Sequence, residues 1–251
     1  MVKTLDLNIG NDANLYFIGD SHIGTKNFDN IAFKKTIDLI KKDNKARVIL
    51  MGDLIEAIIP TDKRFDLDNI DPANITAEKQ YFTIRKFLKP IKEKIVCILS
   101  GNHEEKLKKL TSFDITHMLS EDLDTIDVGY SALLKLSNNK TIFVTHGDST
   151  GTSIQGRIKK LLSIVNNFKR KPDIVCMGHT HALQLINNAY LKDDLNTGVD
   201  YLALTGSYYK TYIDGEENYG SRKLYSPLPT GCIKFKTNKL GEISGETVIF
   251  T

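Results

Sequence analysis

The 251-residue chain has no tryptophan and only three cysteines. Cys97, Cys176 and Cys232 each lie inside an apolar run, and an odd number gives no disulfide framework. They read as small buried hydrophobes in a reducing compartment. None adjoins a histidine or carboxylate cluster, so nothing points to thiolate-held zinc. No apolar run approaches the ~18 residues that a membrane span requires. Residues 1–14 contain no apolar core of signal-peptide length, so the chain reads as cytosolic with no membrane partner. An excess of one charge is missing too. The 34 Lys and Arg against 31 Asp and Glu leave +3, too near neutral to imply nucleic acid by itself. Internal repeats and low-complexity segments are absent.

What remains is an ordinary globular composition, 41% hydrophobic and 26% charged, long enough for one large α/β domain over residues 1–251. Five apolar, strand-like runs each end in a polar cluster. Residues 15–18 lead to Asp20-Ser21-His22, and 48–51 to Gly52-Asp53. Residues 95–99 lead to Gly101-Asn102-His103-Glu104, 141–144 to His146-Gly147-Asp148, and 173–177 to Gly178-His179-Thr180-His181. One such cluster is turn chemistry, because Gly, Asp and Asn are what turns use. Five in succession place a ligand-bearing edge at the carboxyl ends of the strands. Five of the six histidines fall in these clusters; His117 alone does not, and it reads as structural or exposed.

Helical periodicity covers 29–42, with Asp29 as a cap, and 76–89, with Thr76 as a cap. It also covers 103–123, broken near Ser112, and 153–168, whose basic residues read as a solvated face. Strands are expected at 130–136 and 140–145 around the turn Ser137-Asn138-Asn139, then at 182–190, 199–205, 231–237 and 245–250. Residues 3–9 could add an edge strand. The β-α-β order at the start implies parallel strands, and the strand-rich end implies antiparallel ones. The outline is two packed sheets with helices outside.

The clusters pool Asp20, His22, Asp53, Asn102, His146, His179 and His181. Oxygen and imidazole donors suit Mn²⁺, Fe²⁺ or Zn²⁺. Seven donors exceed one tetrahedral ion and suit two ions about 3.5–4 Å apart, bridged by the Asp53 carboxylate. Such a pair turns a bridging water into a nucleophile and neutralises phosphoryl oxygens. His103 follows the ligand Asn102 and is placed to protonate a leaving oxygen, with Glu104 as the group that could orient it.

The ordered motifs Asp20-Ser21-His22, Gly52-Asp53-Leu54-Ile55-Glu56, Gly101-Asn102-His103-Glu104, His146-Gly147 and Gly178-His179-Thr180-His181 resemble the calcineurin-like metallophosphoesterase superfamily. The likeness is to its small stand-alone bacterial and phage members and spans residues 20–181. Glu56 stands where many members carry Asp, and the fourth motif reads His-Gly rather than Gly-His. The resemblance implies a four-layer α/β/β/α sandwich with two mixed sheets and a dinuclear site at the carboxyl ends of strands. It implies one ion on Asp20, His22, His181 and the bridging Asp53, a second on Asp53, Asn102, His146 and His179, and His103 as the catalytic histidine. Mn²⁺ leads the candidate ions, with Fe²⁺, Zn²⁺ or Ni²⁺ as the alternatives.

The substrate is less sharply marked. Residues 60–76 read equally as a solvated loop and as a substrate-facing insertion in which Lys63 and Arg64 would meet an anion. Six of the ten tyrosines lie in 201–225, interleaved with Lys210, Arg222 and Lys223. Tyr208 and Lys210 in particular follow Gly206-Ser207 and would wall the pocket. Three functions remain open: a phosphodiesterase or nuclease on nucleotides or nucleic acid, a phosphomonoesterase on a small compound or phosphoprotein, and a scaffold without catalysis. An oligomer is permitted by the C-terminal strands and demanded by nothing.

Overall fold

The computed structural model describes residues 2–7, 9, 12–62, 65–148, 153–215, 217, 219–222 and 224–250. The strands are β1 (Lys3–Leu7), β2 (Asn14–Ile18), β3 (Ala46–Leu50), β4 (Ile95–Leu99), β5 (Ile126–Gly129), β6 (Ser131–Leu136), β7 (Thr141–Thr145), β8 (Ile174–Met177), β9 (Leu183–Leu191), β10 (Thr197–Thr205), β11 (Thr230–Thr237) and β12 (Ile243–Phe250). The helices are α1 (Asn30–Lys42), α2 (Ala77–Leu88), α3 (Asn102–Thr111), α4 (Ile115–Asp122), α5 (Ile154–Asn166) and the short α6 (Tyr219–Arg222). The first sheet has the order β12-β11-β2-β3-β4-β5 and the second β1-β6-β7-β8-β10-β9. Strands β2 to β5 are parallel, while β11 is antiparallel to both of its neighbours. The second sheet is mixed: β7, β8 and β10 run parallel, and β9 and β6 close antiparallel hairpins on them.

Alternation along the strands builds the four layers. In β2, Tyr16 and Ile18 face outward and pack with Phe33, Ile84 and Leu119 of the helical layer. Leu15 and Phe17 face inward and meet Leu134, Val144, Cys176 and Phe235 between the sheets. On the far side, Phe143, Val175 and Leu202 pack against Leu161 and Val165 of α5. All three cysteines are free and buried. The expected caps form, with Asp29 Oδ1 accepting from the Ala32 N–H at 3.0 Å and Thr76 Oγ1 from the Lys79 N–H at 3.2 Å. Ser112, at a φ of 61°, ends α3, and Asp114 caps α4. No helix among the described residues is long and apolar enough to cross a membrane.

Two elements were not legible in the sequence. Strand β5 joins the first sheet, and the chain then crosses to the second sheet at Tyr130, where sequence periodicity shows a single strand from about 130. The 60–76 stretch contains two short 3-10 turns, Leu67–Asn69 and Pro72–Asn74, capped by the Asp66 and Asp71 side chains. Two backbone contacts tie its described part to the 24–26 segment, while Leu67 and Ile75 stay exposed. The Lys26 N–H donates to the Asn69 carbonyl at 3.0 Å, and the Asp71 N–H to the Gly24 carbonyl at 3.0 Å.

Candidate metal centre

The polar clusters converge where β2, β3 and β4 of one sheet meet β7 and β8 of the other. The backbone there is unusual. Asp20, His22, Asp53, His179 and His181 all have positive φ, between 46° and 63°. Non-glycine residues adopt that region at a cost, and such outliers collect where surrounding structure holds functional groups in place. Gly52, at a φ of 85°, lets the β3 loop approach Gly101 so closely that a side chain would stand 2.6 Å from the Gly101 nitrogen.

Asp53 lies at the middle of the cluster. Its Oδ2 is 3.2 Å from His146 Nε2 and 3.8 Å from His22 Nε2. On one flank, His181 Nε2 is 3.7 Å from Asp20 Oδ1 and 3.0 Å from His22 Nε2. On the other, Asn102 Oδ1 lies 3.1 Å from His146 Nε2 and 2.7 Å from His179 Nδ1. Donor atoms of Asp20, His22 and His181 fall within 4.8 Å of one another, and so do those of Asp53, His146 and His179. Two imidazole nitrogens facing each other across 3.0 Å need a proton or a cation between them. The donor set, all oxygen and imidazole nitrogen, fits hard or borderline divalent ions.

Outer contacts fix each ring. His146 Nδ1 donates to the Met51 carbonyl at 2.8 Å, and His22 Nδ1 to Glu56 Oε2 at 2.8 Å. His103 Nδ1 donates to the Glu56 carbonyl at 2.5 Å, and its ring packs edge-on against His22. A carbonyl only accepts, so Nδ1 carries a proton. Glu56 therefore positions two histidines at once, a role visible in the sequence only as the last member of the Gly52-to-Glu56 motif. Glu104 does something other than orient His103. Its Oε2 accepts from the N–H groups of Asp53 (3.0 Å) and Gly101 (3.0 Å), and its Oε1 from those of Leu54 (2.7 Å) and Ile55 (3.2 Å). It braces the loop that presents Asp53, because an N3 glutamate turns back over the start of its helix instead of toward its neighbour.

Protonation is set by this crowding. Burial opposes a charge on His22, but the Glu56 carboxylate outweighs it and lifts the pKa to about 9. Burial likewise opposes a charge on His146, and Asp53 more than compensates, giving about 10. Burial pushes Asp20 up to about 7. Burial and neighbouring imidazoles lower His179 and take His181 well below the ordinary histidine value. At pH 8, then, Asp20 is ionised and His179 and His181 are neutral, while His22 and His146 hold protons. A divalent ion must displace those two protons, so its apparent affinity rises with pH up to about 10 and falls in acid. Calorimetric titration with Mn²⁺ at pH 8 in buffers of differing ionisation enthalpy is expected to show about two protons released per chain. Heats that do not depend on the buffer would contradict this.

The residues expected to wall the pocket divide. Tyr208 is fully buried; its hydroxyl donates to Thr36 Oγ1 at 2.9 Å and its ring packs on Phe33. It is a core residue, not a substrate contact. Tyr208→Phe is expected to lower stability by about 1 kcal/mol, one net hydrogen bond, in urea unfolding with KM unchanged. A raised KM would return it to the pocket. Its neighbour Tyr209 is the one at the centre, with its ring centroid 5.3 Å from that of His181 and 5.7 Å from that of His22. Lys210 turns away, its Nζ 3.6 Å from Asp29 Oδ1. Lys63 and Arg64 lie outside the described residues. His117 is exposed on α4, 3.5 Å from Glu121.

The profile of the calcineurin-like phosphoesterase family matches residues 13–203, and the chain belongs to that family. No curated protein matches the sequence. Similar solved structures include the following three. Vps29 of Entamoeba histolytica (the D62A mutant) is 14% identical, with 95% of this chain and 99% of that one covered at a TM-score of 0.45. A metallophosphoesterase of Sphaerobacter thermophilus is 11% identical, with 95% and 89% covered at 0.44. The nuclease MPE of Pseudomonas putida is 13% identical, with 92% and 87% covered at 0.40. None of these likenesses assigns a substrate.

Proposed function

We propose that the chain is a cytosolic, single-domain phosphodiesterase that uses two divalent ions to hydrolyse phosphodiester bonds in nucleotides or nucleic acid. The observation that carries this is Asp53, a buried carboxylate with an imidazole nitrogen on either side, flanked by two donor triads of the same chemistry. Asp20, His22 and His181 would hold one ion and Asn102, His146 and His179 the other, with Asp53 shared. Two ions so held, Mn²⁺ foremost and Fe²⁺, Zn²⁺ or Ni²⁺ as alternatives, supply water activation and charge neutralisation at phosphorus. His103, held through Nδ1 by the Glu56 carbonyl, would in its imidazolium form give the Nε2 proton to the leaving oxygen. Tyr209 supports a substrate that carries an aromatic group, as nucleotides do. Its ring, 5.3 Å from that of His181 and 5.7 Å from that of His22, would meet an aromatic arm of the substrate beside the reacting phosphate. Three buried free thiols fit a reducing compartment.

The test is hydrolysis of bis(p-nitrophenyl) phosphate beside p-nitrophenyl phosphate with Mn²⁺, and with chelator as control. Preference for the diester, abolished by chelator, is the expected result. Preference for the monoester would replace this reading with that of a phosphomonoesterase. No turnover of either, with two ions bound per chain, would favour a scaffold.

A further inference from the structure

The edge that carries the metal centre also carries a second cavity. Strand β11 runs antiparallel to β2, so Thr230 lies at the end where β2 leads to Asp20. Phe250, at the end of β12, pairs with Thr230. Helix α1 begins at this same edge, and a cavity of about 420 Å³ opens between it and the segments 210–212 and 227–230. Ile31, Lys35, Lys210, Tyr212, Leu228 and Phe250 line it.

Its charge is favourable to an anion. Among the described residues Asp29 is the one carboxylate in the lining, and it is already engaged: it caps the Ala32 N–H at 3.0 Å, accepts from Thr230 Oγ1 at 3.2 Å and pairs with Lys210 at 3.6 Å. Lys35 forms no ion pair among the described residues. Among the described lining residues two cations therefore face one carboxylate. Tyr212 is 43% exposed, and its hydroxyl donates to the Tyr225 carbonyl at 2.6 Å, which fixes the ring. Backbone and distance tie the cavity to the metal centre. Tyr209, against His22 and His181, is one residue from Lys210. Neighbouring strands are about 4.8 Å apart, so β12 lies roughly 10 Å from β2. A small monoester seated at Asp53 would not span that distance.

Resting on the phosphodiesterase reading above, we infer that this cavity is a subsite for single-stranded nucleic acid, holding a flanking nucleotide while the scissile phosphodiester lies at Asp53. Lys35 and Lys210 meet backbone phosphate and Tyr212 meets a base, the pairing of cation and aromatic that binds single strands without reading their sequence.

Fluorescence anisotropy with a labelled ten-residue oligothymidylate, in chelator and at low salt, tests the subsite without catalysis. The Lys35→Ala/Lys210→Ala double variant is expected to raise Kd at least tenfold and to flatten the dependence of log Kd on log salt by ~1.4, two phosphate contacts on a single strand. Because Lys210 pairs with the cap of α1, Lys35→Ala alone, at an exposed helix position, serves as the second variant, with a flattening of ~0.7. Tyr212→Ala is expected to raise Kd without changing the salt slope. In turnover with Mn²⁺, the ratio of kcat/KM for the oligonucleotide to that for bis(p-nitrophenyl) phosphate is expected to fall about tenfold in the double variant. An unchanged Kd and slope, no binding by the wild-type chain, or equal loss on both substrates overturns the subsite. Failure of the wild type to cleave the chromogenic diester overturns the phosphodiesterase reading instead, and the anisotropy result stands apart from it.

Discussion

Asp53→Asn is expected to cut phosphodiester turnover and to remove at least one of the two ions proposed for the site, as counted by plasma mass spectrometry. The substitution keeps the shape and can keep the bond from the His103 N–H to Oδ1, 2.9 Å in the native chain. What it removes is a negative charge. Burial opposes that charge, but His146 and His103 outweigh burial and hold the carboxyl well below its ordinary range. Removing one member of a buried ionic cluster costs about 3–5 kcal/mol. At ~1.4 kcal/mol per decade this is a loss of ~10²–10⁴ in rate or in affinity for the ions. His103→Ala separates the two functions: turnover is expected to fall by ~10²–10⁴ while both ions remain. If the two variants lose metal equally, His103 is a ligand and the proton-donor role is wrong. That outcome has a geometric basis, since His22, Asp53 and His103 also present donors within 4.8 Å of one another.

The second large effect falls on stability. Each oxygen of Glu104 accepts two backbone N–H groups. Glu104→Gln retains one acceptor oxygen and turns an amide NH₂ toward the other pair, so two buried N–H groups lose their partner. At about 1–3 kcal/mol for each, the expected cost is ~2–6 kcal/mol, or roughly 5–20 °C in Tm. The Gly101 and Asp53 loops loosen together, so metal affinity should fall in the same variant. Thermal unfolding with and without Mn²⁺ reads both. A native Tm combined with a shifted pH–rate profile would mean that Glu104 acts on proton transfer after all.

The convergence of the five polar clusters was legible because each follows an apolar run closely, and strand ends face one edge whatever the helices between them do. Neighbour identity was not legible. Tyr208 and Tyr209 are alike in the sequence, and which of them faces the metal centre depends on how the Phe28 to Asn30 stretch pairs with that segment. Lys210 was displaced by the same alternation. Glu104 adjoins His103 in the chain, yet successive residues on a helix diverge by about 100°. The spacing from Gly101 to Glu104 is itself a capping-box signature, and it carries the signal for the brace. Glu56 is 34 residues from His22 and 47 from His103, contacts that no local pattern encodes. β5 is four residues, Ile-Asp-Val-Gly, too short for a period to emerge.

The route of the chain between the sheets bears on how the molecule assembles. It begins in the second sheet with β1, builds β2 to β5 in the first, crosses at Tyr130 to lay down β6 to β10, and returns to the first with β11 and β12. Lys3 meets Ala132, and Phe17 meets Ile233, so both sheets close only after most of the polypeptide is present. Loop-closure entropy is then incurred before the contacts that offset it, which slows folding. No single cut separates one sheet from the other, and a nascent chain released before residue 230 lacks two strands of the sheet that presents Asp20 and Asp53. The cluster around Asp20 and Asp53 is accordingly a late product of folding.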